Sequence, residues 1–361
     1  MITNDDRKIN ELVSILKDQH FNSKINLARV KLIAMFIMAL CKVQTVTFHK
    51  LASAFDSQSK ADSSLRRLQR FIATFTLDSD LIARLIFSLL PIQGKVQLSL
   101  DRTNWKFGIT DINILMLGVV YKGVAFPLLF TLLPKRGNSN TSERIMLIDR
   151  YIQLFSIETI ECVVADREFV GESWLAYLNQ NNIRYYIRIR NNFKVYIPSK
   201  NKEIKASWLF NNCQINEFRF YPNIVRVNGE LCYISGSKLN GNDFLVIVSF
   251  NEPVNACDLY KQRWQIEMCF KSMKSSGFDI EKTHLTDLDR IEKLTLLIMI
   301  AFVWCYKVGI HLNEKIKPIE IKKHGRKAES IFKYGLKQVA NYLLNPEYHN
   351  ISELFQFLSC T

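Results

Sequence analysis

Apolar positions along the first 92 residues recur with a helical rhythm and little glycine, which predicts a run of helices. Within it, Leu65, Leu68, Phe71 and Ile72 mark a buried side, while Arg66, Arg67 and Arg70 fall on adjacent faces. Near residue 95 the period changes to two. Val96, Leu98 and Leu100 alternate with Gln97, Ser99 and Asp101, giving a strand over 96–101 that ends on a carboxylate. Strands follow over 112–121 and 124–133, with Lys122-Gly123 as a tight connection. A helix over 141–154, a buried strand over 162–165, a helix over 173–181 and a strand over 185–189 complete this part.

Three antiparallel strands followed by alternating helix and strand is a ribonuclease-H-like order. In that order the first strand is central and the fourth lies beside it, so Asp101 and Asp166 come together. Residues 191–250 carry further short alternating runs, with Asn228-Gly229 as a hairpin signal, and read as a mostly-β insertion. Phe244 to Ser249 fits either the insertion or the main sheet. The expected fold is therefore α/β: a ribonuclease-H-like core interrupted by a β-rich insertion, with a helical N-terminal domain and a helical C-terminal region. The expected boundaries are 1–92, 93–190, 191–250, 251–312 for the second helix-bearing part of the core, and 313–361 for a basic C-terminal region.

The densest chemistry lies in residues 260–274. Tyr260, Arg263, Glu267, Lys271 and Lys274 are spaced to share one stripe if the segment is a single helix. One carboxylate among three cations and a phenol suits a metal ligand beside phosphates, although an amphipathic surface helix has the same pattern. Asp101 and Asp166 each end a strand, where Asp also serves as turn former or cap. Together with Glu267 they make a triad of hard oxygen ligands suited to Mg²⁺ or Mn²⁺. Two such ions about 4 Å apart activate an attacking oxygen and stabilise a leaving one in phosphoryl transfer.

The segments Ser-Leu-Asp101-Arg-Thr-Asn-Trp105, Ala-Asp166-Arg-Glu and Tyr260-x2-Arg263-x3-Glu267-x6-Lys274 resemble the DDE transposases of the bacterial insertion-sequence-4 family, with its Tyr/Arg/Glu/Lys signature. Ser63 to Phe71 and His324-Gly-Arg-Lys also read like that family, so the resemblance spans about 60–335. It implies a cut-and-paste transposase that binds the terminal inverted repeats of its element, cleaves through hairpin ends and joins the freed end to target DNA. Asp101 would bridge two ions, with Asp166 and Glu267 each completing one site. Tyr260, Arg263 and Lys274 would contact the DNA ends, and Lys271 joins them by helical phase. Arg66, Arg67 and Arg70 would serve the N-terminal DNA-binding domain, and Arg102 and Arg167 would orient carboxylates or touch DNA. The family's base-stacking Trp has no counterpart in Ser237 to Asp243, leaving Trp208, Tyr233 and Phe244 as candidates. A homodimeric synaptic complex follows from the need to hold two ends.

Composition agrees with that picture. Hydrophobic residues make up 48%, which argues against disorder, and a net charge of +14 favours a polyanionic partner. Eight cysteines form no CxxC pair, as expected for reduced thiols in a bacterial cytoplasmic, nucleoid-associated protein. The apolar runs 32–41 and 294–305 are too short to cross a bilayer and read as buried helices, so no membrane partner is expected. His284 and His324 lie in basic surroundings and read as surface residues. A metal-dependent nuclease without joining activity, and a non-catalytic DNA-binding derivative, are the competing expectations.

Overall fold

The computed structural model describes residues 4–21, 24–55, 59–107, 110–323, 325–346 and 351–359. His324 and Cys360 lie outside them. The chain divides into two compact units. One comprises Met1–Pro91, Trp105–Asp111 and Cys269–Thr361, and the other Ile92–Asn104 and Ile112–Met268.

The first unit is helical. Its helices are α1 (Asn4–Ile15), α2 (Leu27–Val43), α3 (Phe48–Ser53), α4 (Ala61–Thr74), α5 (Ser79–Ser88), α10 (Leu288–His311), α11 (Ile331–Leu344) and α12 (Ile351–Phe355). Helix α10 is apolar on every face and buried from Leu294 to Tyr306, as a helix at the centre of a bundle must be. Asp287 caps it, accepting from the Arg290 amide at 3.0 Å. The apolar run thus belongs to a helix long enough to span a bilayer, longer than its 12 most apolar residues suggested, but it is mostly buried inside the protein. Gly335 lets α11 approach α10: a Cβ there would collide with the Cys305 carbonyl and the Gly309 amide. The C-terminal segment packs on this core, with Trp304 donating its indole N–H to the Leu354 carbonyl at 3.0 Å.

The second unit is built on one mixed sheet of eleven strands. The first five are β1 (Val96–Phe107), β2 (Thr110–Tyr121), β3 (Val124–Leu133), β4 (Ile160–Ala165) and β5 (Tyr185–Ile189). The short strands β6 (Lys194–Ile197), β7 (Lys202–Lys205), β8 (Phe218–Phe220) and β9 (Val225–Val227) come next, followed by β10 (Glu230–Lys238) and β11 (Phe244–Ser249). Their order is β3-β2-β1-β4-β5-β11-β10-β9-β6-β7, with β8 also on β10. Strands β1, β4 and β5 are parallel; β2 and β3 form an antiparallel hairpin through Lys122 and Gly123, both at positive φ. Asn228 and Gly229 make the same kind of turn between β9 and β10. Strand β11 pairs with both β5 and β10, so it joins the main sheet to the later strands.

Helices α6 (Thr141–Phe155) and α7 (Glu172–Gln180) lie in the same unit. Asn140 and Glu143 form a reciprocal capping box at the start of α6. The segment expected as one helix over 260–274 is broken into α8 (Ala256–Lys261) and α9 (Trp264–Met273). Between them the bonds tighten to i→i+3: Gln262 donates to Leu259, Arg263 to Tyr260, Gln265 to Gln262 and Ile266 to Arg263. Tyr260, on α8, packs in an apolar cluster with Cys162, Val164, Tyr186, Ile247 and Ala256.

Candidate active site

The alternating polar residues of β1 build the floor of the site. Gln97 and Ser99, both buried, point the same way as Asp101. Gln97 donates to the Leu259 carbonyl at 2.9 Å, and Ser99 reaches the Arg263 carbonyl at 3.5 Å. This polar face, which alternation alone would assign to solvent, is a buried ladder that grips the α8–α9 link. Register does the rest. Leu100 pairs with Ala165 across parallel β1 and β4, so Asp101, within β1, and Asp166, just past the end of β4, follow side by side; β1 does not stop at Asp101, as the alternation predicted, but continues to Phe107.

Arg263 and Tyr260 join the carboxylates. The Arg263 guanidinium donates to Asp101 Oδ2 at 3.0 Å and to Glu267 Oε1 at 2.8 Å, with its own side chain only 5% exposed. Tyr260 donates its hydroxyl to Asp166 Oδ1 at 3.3 Å. The three acids predicted from sequence are therefore gathered around two residues of the same signature.

The electrostatics follow from burial and crowding. Burial pushes the Asp101 carboxyl up to about 6; the Arg102 amide and Arg263 pull it back, while Glu168 and Asp166 push it further up. Burial also raises the Tyr260 phenol to about 12, so it stays a hydrogen-bond donor at neutral pH. For Arg263, burial works against the charge, but Tyr260, Asp101, Glu267 and Asp166 outweigh it and hold the guanidinium above its ordinary range.

Among the described residues no group of three His, Cys, Asp or Glu stands close enough to hold a metal as arranged. The donor chemistry nonetheless fits a divalent cation: three carboxylates, crowded enough to raise Asp101, with Arg263 as the cation now shared between two of them.

Other predicted residues take varied places. Arg102 makes a two-pronged pair with Glu168 and also donates to Asn113 and Asn138, so it braces loops near Asp101. Arg167 is exposed and, with Arg188, Arg190, Asn191, Asn192, Asp243 and Phe244, lines a cavity of about 130 Å³. Phe244 is nearly buried, Tyr233 half-buried, and Trp208 exposed beneath the Lys205 ammonium, 5.8 Å from its ring. In the helical unit, Lys271 is exposed and Lys274 pairs with Glu281 at 3.1 Å while lying 5.6 Å from the Trp105 ring. Arg66, Arg67 and Arg70 are exposed on α4.

Four contributors were not anticipated. Arg188 and Arg190 are two apart at the end of β5 and so share a face, a signal present in Ile-Arg-Ile-Arg but masked by the strand pattern. Buried Arg144 donates to Ser139 and to the Glu168 carbonyl at 3.1 Å, steadying the loop after Asp166. Trp264 opens α9 with its ring 61% exposed and 5.2 Å from the Arg263 guanidinium.

Three carboxylates brought together beside Arg263 and Tyr260 form an arrangement whose chemistry suits phosphoryl transfer. Residues 126–304 match the sequence model of a family described as the Transposase DDE domain. The match supports a DDE transposase, an enzyme whose partner is DNA. It takes in Asp166, Tyr260, Arg263 and Glu267; Asp101 precedes it, and the Arg263 contact is what adds Asp101 to the set. No curated protein matches the chain.

Proposed function

We propose that the chain is a cut-and-paste transposase of the insertion-sequence-4 type, acting on the inverted-repeat ends of its own element within a homodimeric complex. The observation that carries this is the junction of Asp101, Asp166 and Glu267 through Arg263 and Tyr260. The strand order 3-2-1-4-5, with Asp101 on β1 and Asp166 directly after the parallel strand β4, supports a ribonuclease-H-like core. Divalent cations such as Mg²⁺ or Mn²⁺, held by Asp101, Asp166 and Glu267, would supply the charge that activates a water or 3′-hydroxyl and stabilises the leaving oxygen.

The chain's own residues bind and orient the DNA. Arg263 is the counter-charge of Asp101 and Glu267, and its fork geometry fits a phosphate equally well. A strand entering the site offers that phosphate, and the carboxylates are released as Arg263 turns to it. Tyr260, a donor held by its packing, can pass its hydrogen bond from Asp166 to the same backbone. Arg167, Arg188 and Arg190 hold a neighbouring phosphate, and Lys271 and Lys274 add charge along the α9 segment. Trp264 offers an exposed face for a flipped base, a role better suited to it than to buried Phe244. Arg66, Arg67 and Arg70 hold the backbone of the terminal DNA, consistent with work in a bacterial cytoplasm.

The test is incubation of the protein and Mg²⁺ with labelled duplexes carrying the inverted repeats that flank its gene. Hairpin-ended flanks and joined products are expected. Nicks without joining would make it a nuclease, and shifted bands without cleavage a DNA-binding derivative.

A further inference from the structure

A cleft of about 640 Å³ lies in the helical unit, and of its lining residues Arg70 alone has been given a role above. Its walls are Val46–His49 at the start of α3, the C-terminal half of α4 from Gln69 to Thr74, and the segment from Lys282 to Leu285 with Arg290. The ionisable groups on these walls are His49, Arg70, Lys282, His284 and Arg290; among the described residues no acid lines the cleft. Lys282 leans on Asp279 at 2.7 Å and Arg290 on Asp287 at a long 3.9 Å, while Arg70 projects from the exposed face of α4. Between the cations lie apolar Val46, Phe48, Ile72 and Leu285 and the neutral hydrogen-bonding groups of Thr47, Gln69, Thr74 and Thr283.

We infer that this cleft binds an unpaired nucleotide of a DNA strand, an inference that rests on the transposase reading. Each part of a nucleotide meets its complement there. A phosphodiester is matched by Arg70 and Arg290, the flat apolar face of a base by Phe48 and Leu285, and the polar base edge by Gln69 and the threonines. The volume lies within the range of about 300–1,000 Å³ that encloses a small organic ligand, room for one or two nucleotides and too narrow for a paired duplex. A duplex backbone is bound on an open surface. A cleft with apolar walls and, among the described residues, no acid in its lining selects a base that has left its stack.

The experiment measures binding of a fluorescent oligothymidylate to the full chain without metal, across a salt series. The wild type is compared with an Arg70→Ala/Arg290→Ala variant, a Phe48→Ala variant and, as a control outside the cleft, Met146→Ala, at an exposed position on α6. The double variant should lose at least about tenfold in affinity and have its salt slope reduced by about 1.4, the single-strand value for two phosphate contacts. Phe48→Ala should weaken binding with the salt slope unchanged, and Met146→Ala should bind as the wild type does. Arg70→Gln/Arg290→Gln, which keeps side-chain bulk, guards against a folding defect and should lose the same affinity. Oligothymidylate binding unaffected by the cleft variants, while duplex DNA still binds, would overturn the inference alone. Thymidine monophosphate competing as well as the oligomer would reassign the cleft to free nucleotides and also overturn it. Failure of the wild type to bind any DNA would remove the transposase reading together with the inference.

Discussion

Arg263→Gln is the perturbation with the most to say about the site. It removes the guanidinium from a side chain that is 5% exposed and leaves Asp101, itself 13% exposed, without its counter-charge. Breaking a buried pair from one side costs about 3–5 kcal/mol. The Glu267 half of the bridge is 39% exposed and contributes little, so the Asp101 half sets the loss at about 3 kcal/mol. That loss depends on pH with a definite sign. The folded-state pKa of Asp101 is raised from 3.8 to about 6, so its contribution to stability is fully present below 3.8 and is lost as pH rises through 6. Arg263 limits the rise, and without it the folded pKa climbs further. The deficit of Arg263→Gln should therefore be greatest above about pH 7 and shrink toward about pH 4, where Asp101 is protonated in both proteins. Urea unfolding followed by circular dichroism at about pH 8 and about pH 4.5 measures it, and the double variant Arg263→Gln/Asp101→Asn should recover much of the loss at the higher pH. A deficit independent of pH, or a double variant no more stable than the single one, would refute the reasoning.

Tyr260→Phe keeps the apolar packing and loses one long hydrogen bond to Asp166, so stability should change by less than about 1 kcal/mol in urea unfolding. Its strand-cleavage rate should nonetheless fall by about tenfold, the value of one lost charge-assisted contact of about 1.4 kcal/mol. Arg144→Ala strips the Ser139 and Glu168 carbonyls of a donor and should destabilise by about 2–3 kcal/mol, lowering cleavage through the loop that carries Asp166; a normal rate in folded protein would contradict this. Gly335→Ala drives a methyl into the Cys305 carbonyl and should cost at least about 1–3 kcal/mol in thermal or chemical unfolding, with no compensating effect at the acid site.

Much of the sheet could be read along the chain because its strands are either strictly alternating or wholly apolar. Strands β3, β5 and β11 begin and end at the residues that pattern indicates. The continuation of β1 to Phe107 could not be read that way. Its later residues, Arg-Thr-Asn-Trp-Lys-Phe, lose the alternation, and Arg102 is held by donating to Glu168, Asn113 and Asn138, distant in sequence. The nearness of Asp101 and Asp166 could be expected from the strand order, but the break between α8 and α9 could not. No glycine or proline marks it; the link is pinned by Gln97 and Ser99, which local pattern assigns to a solvent face. Arg144, Arg188 and Arg190 escaped notice for the same reason, since their partners lie in other elements. The cleft near α3 and α4 is likewise assembled from segments far apart along the chain, so no local pattern announces it.

The central claim is that Asp101, Asp166 and Glu267 form one site for phosphoryl transfer. Single-turnover cleavage and joining of duplexes bearing the flanking inverted repeats, with Asp101→Asn, Asp166→Asn and Glu267→Gln each compared with wild type, tests it most directly. Every variant should still shift the duplex in a gel and yield neither hairpin nor joined product. Cleavage retained at the wild-type rate in any one of the three would remove that carboxylate from the site and contradict the account.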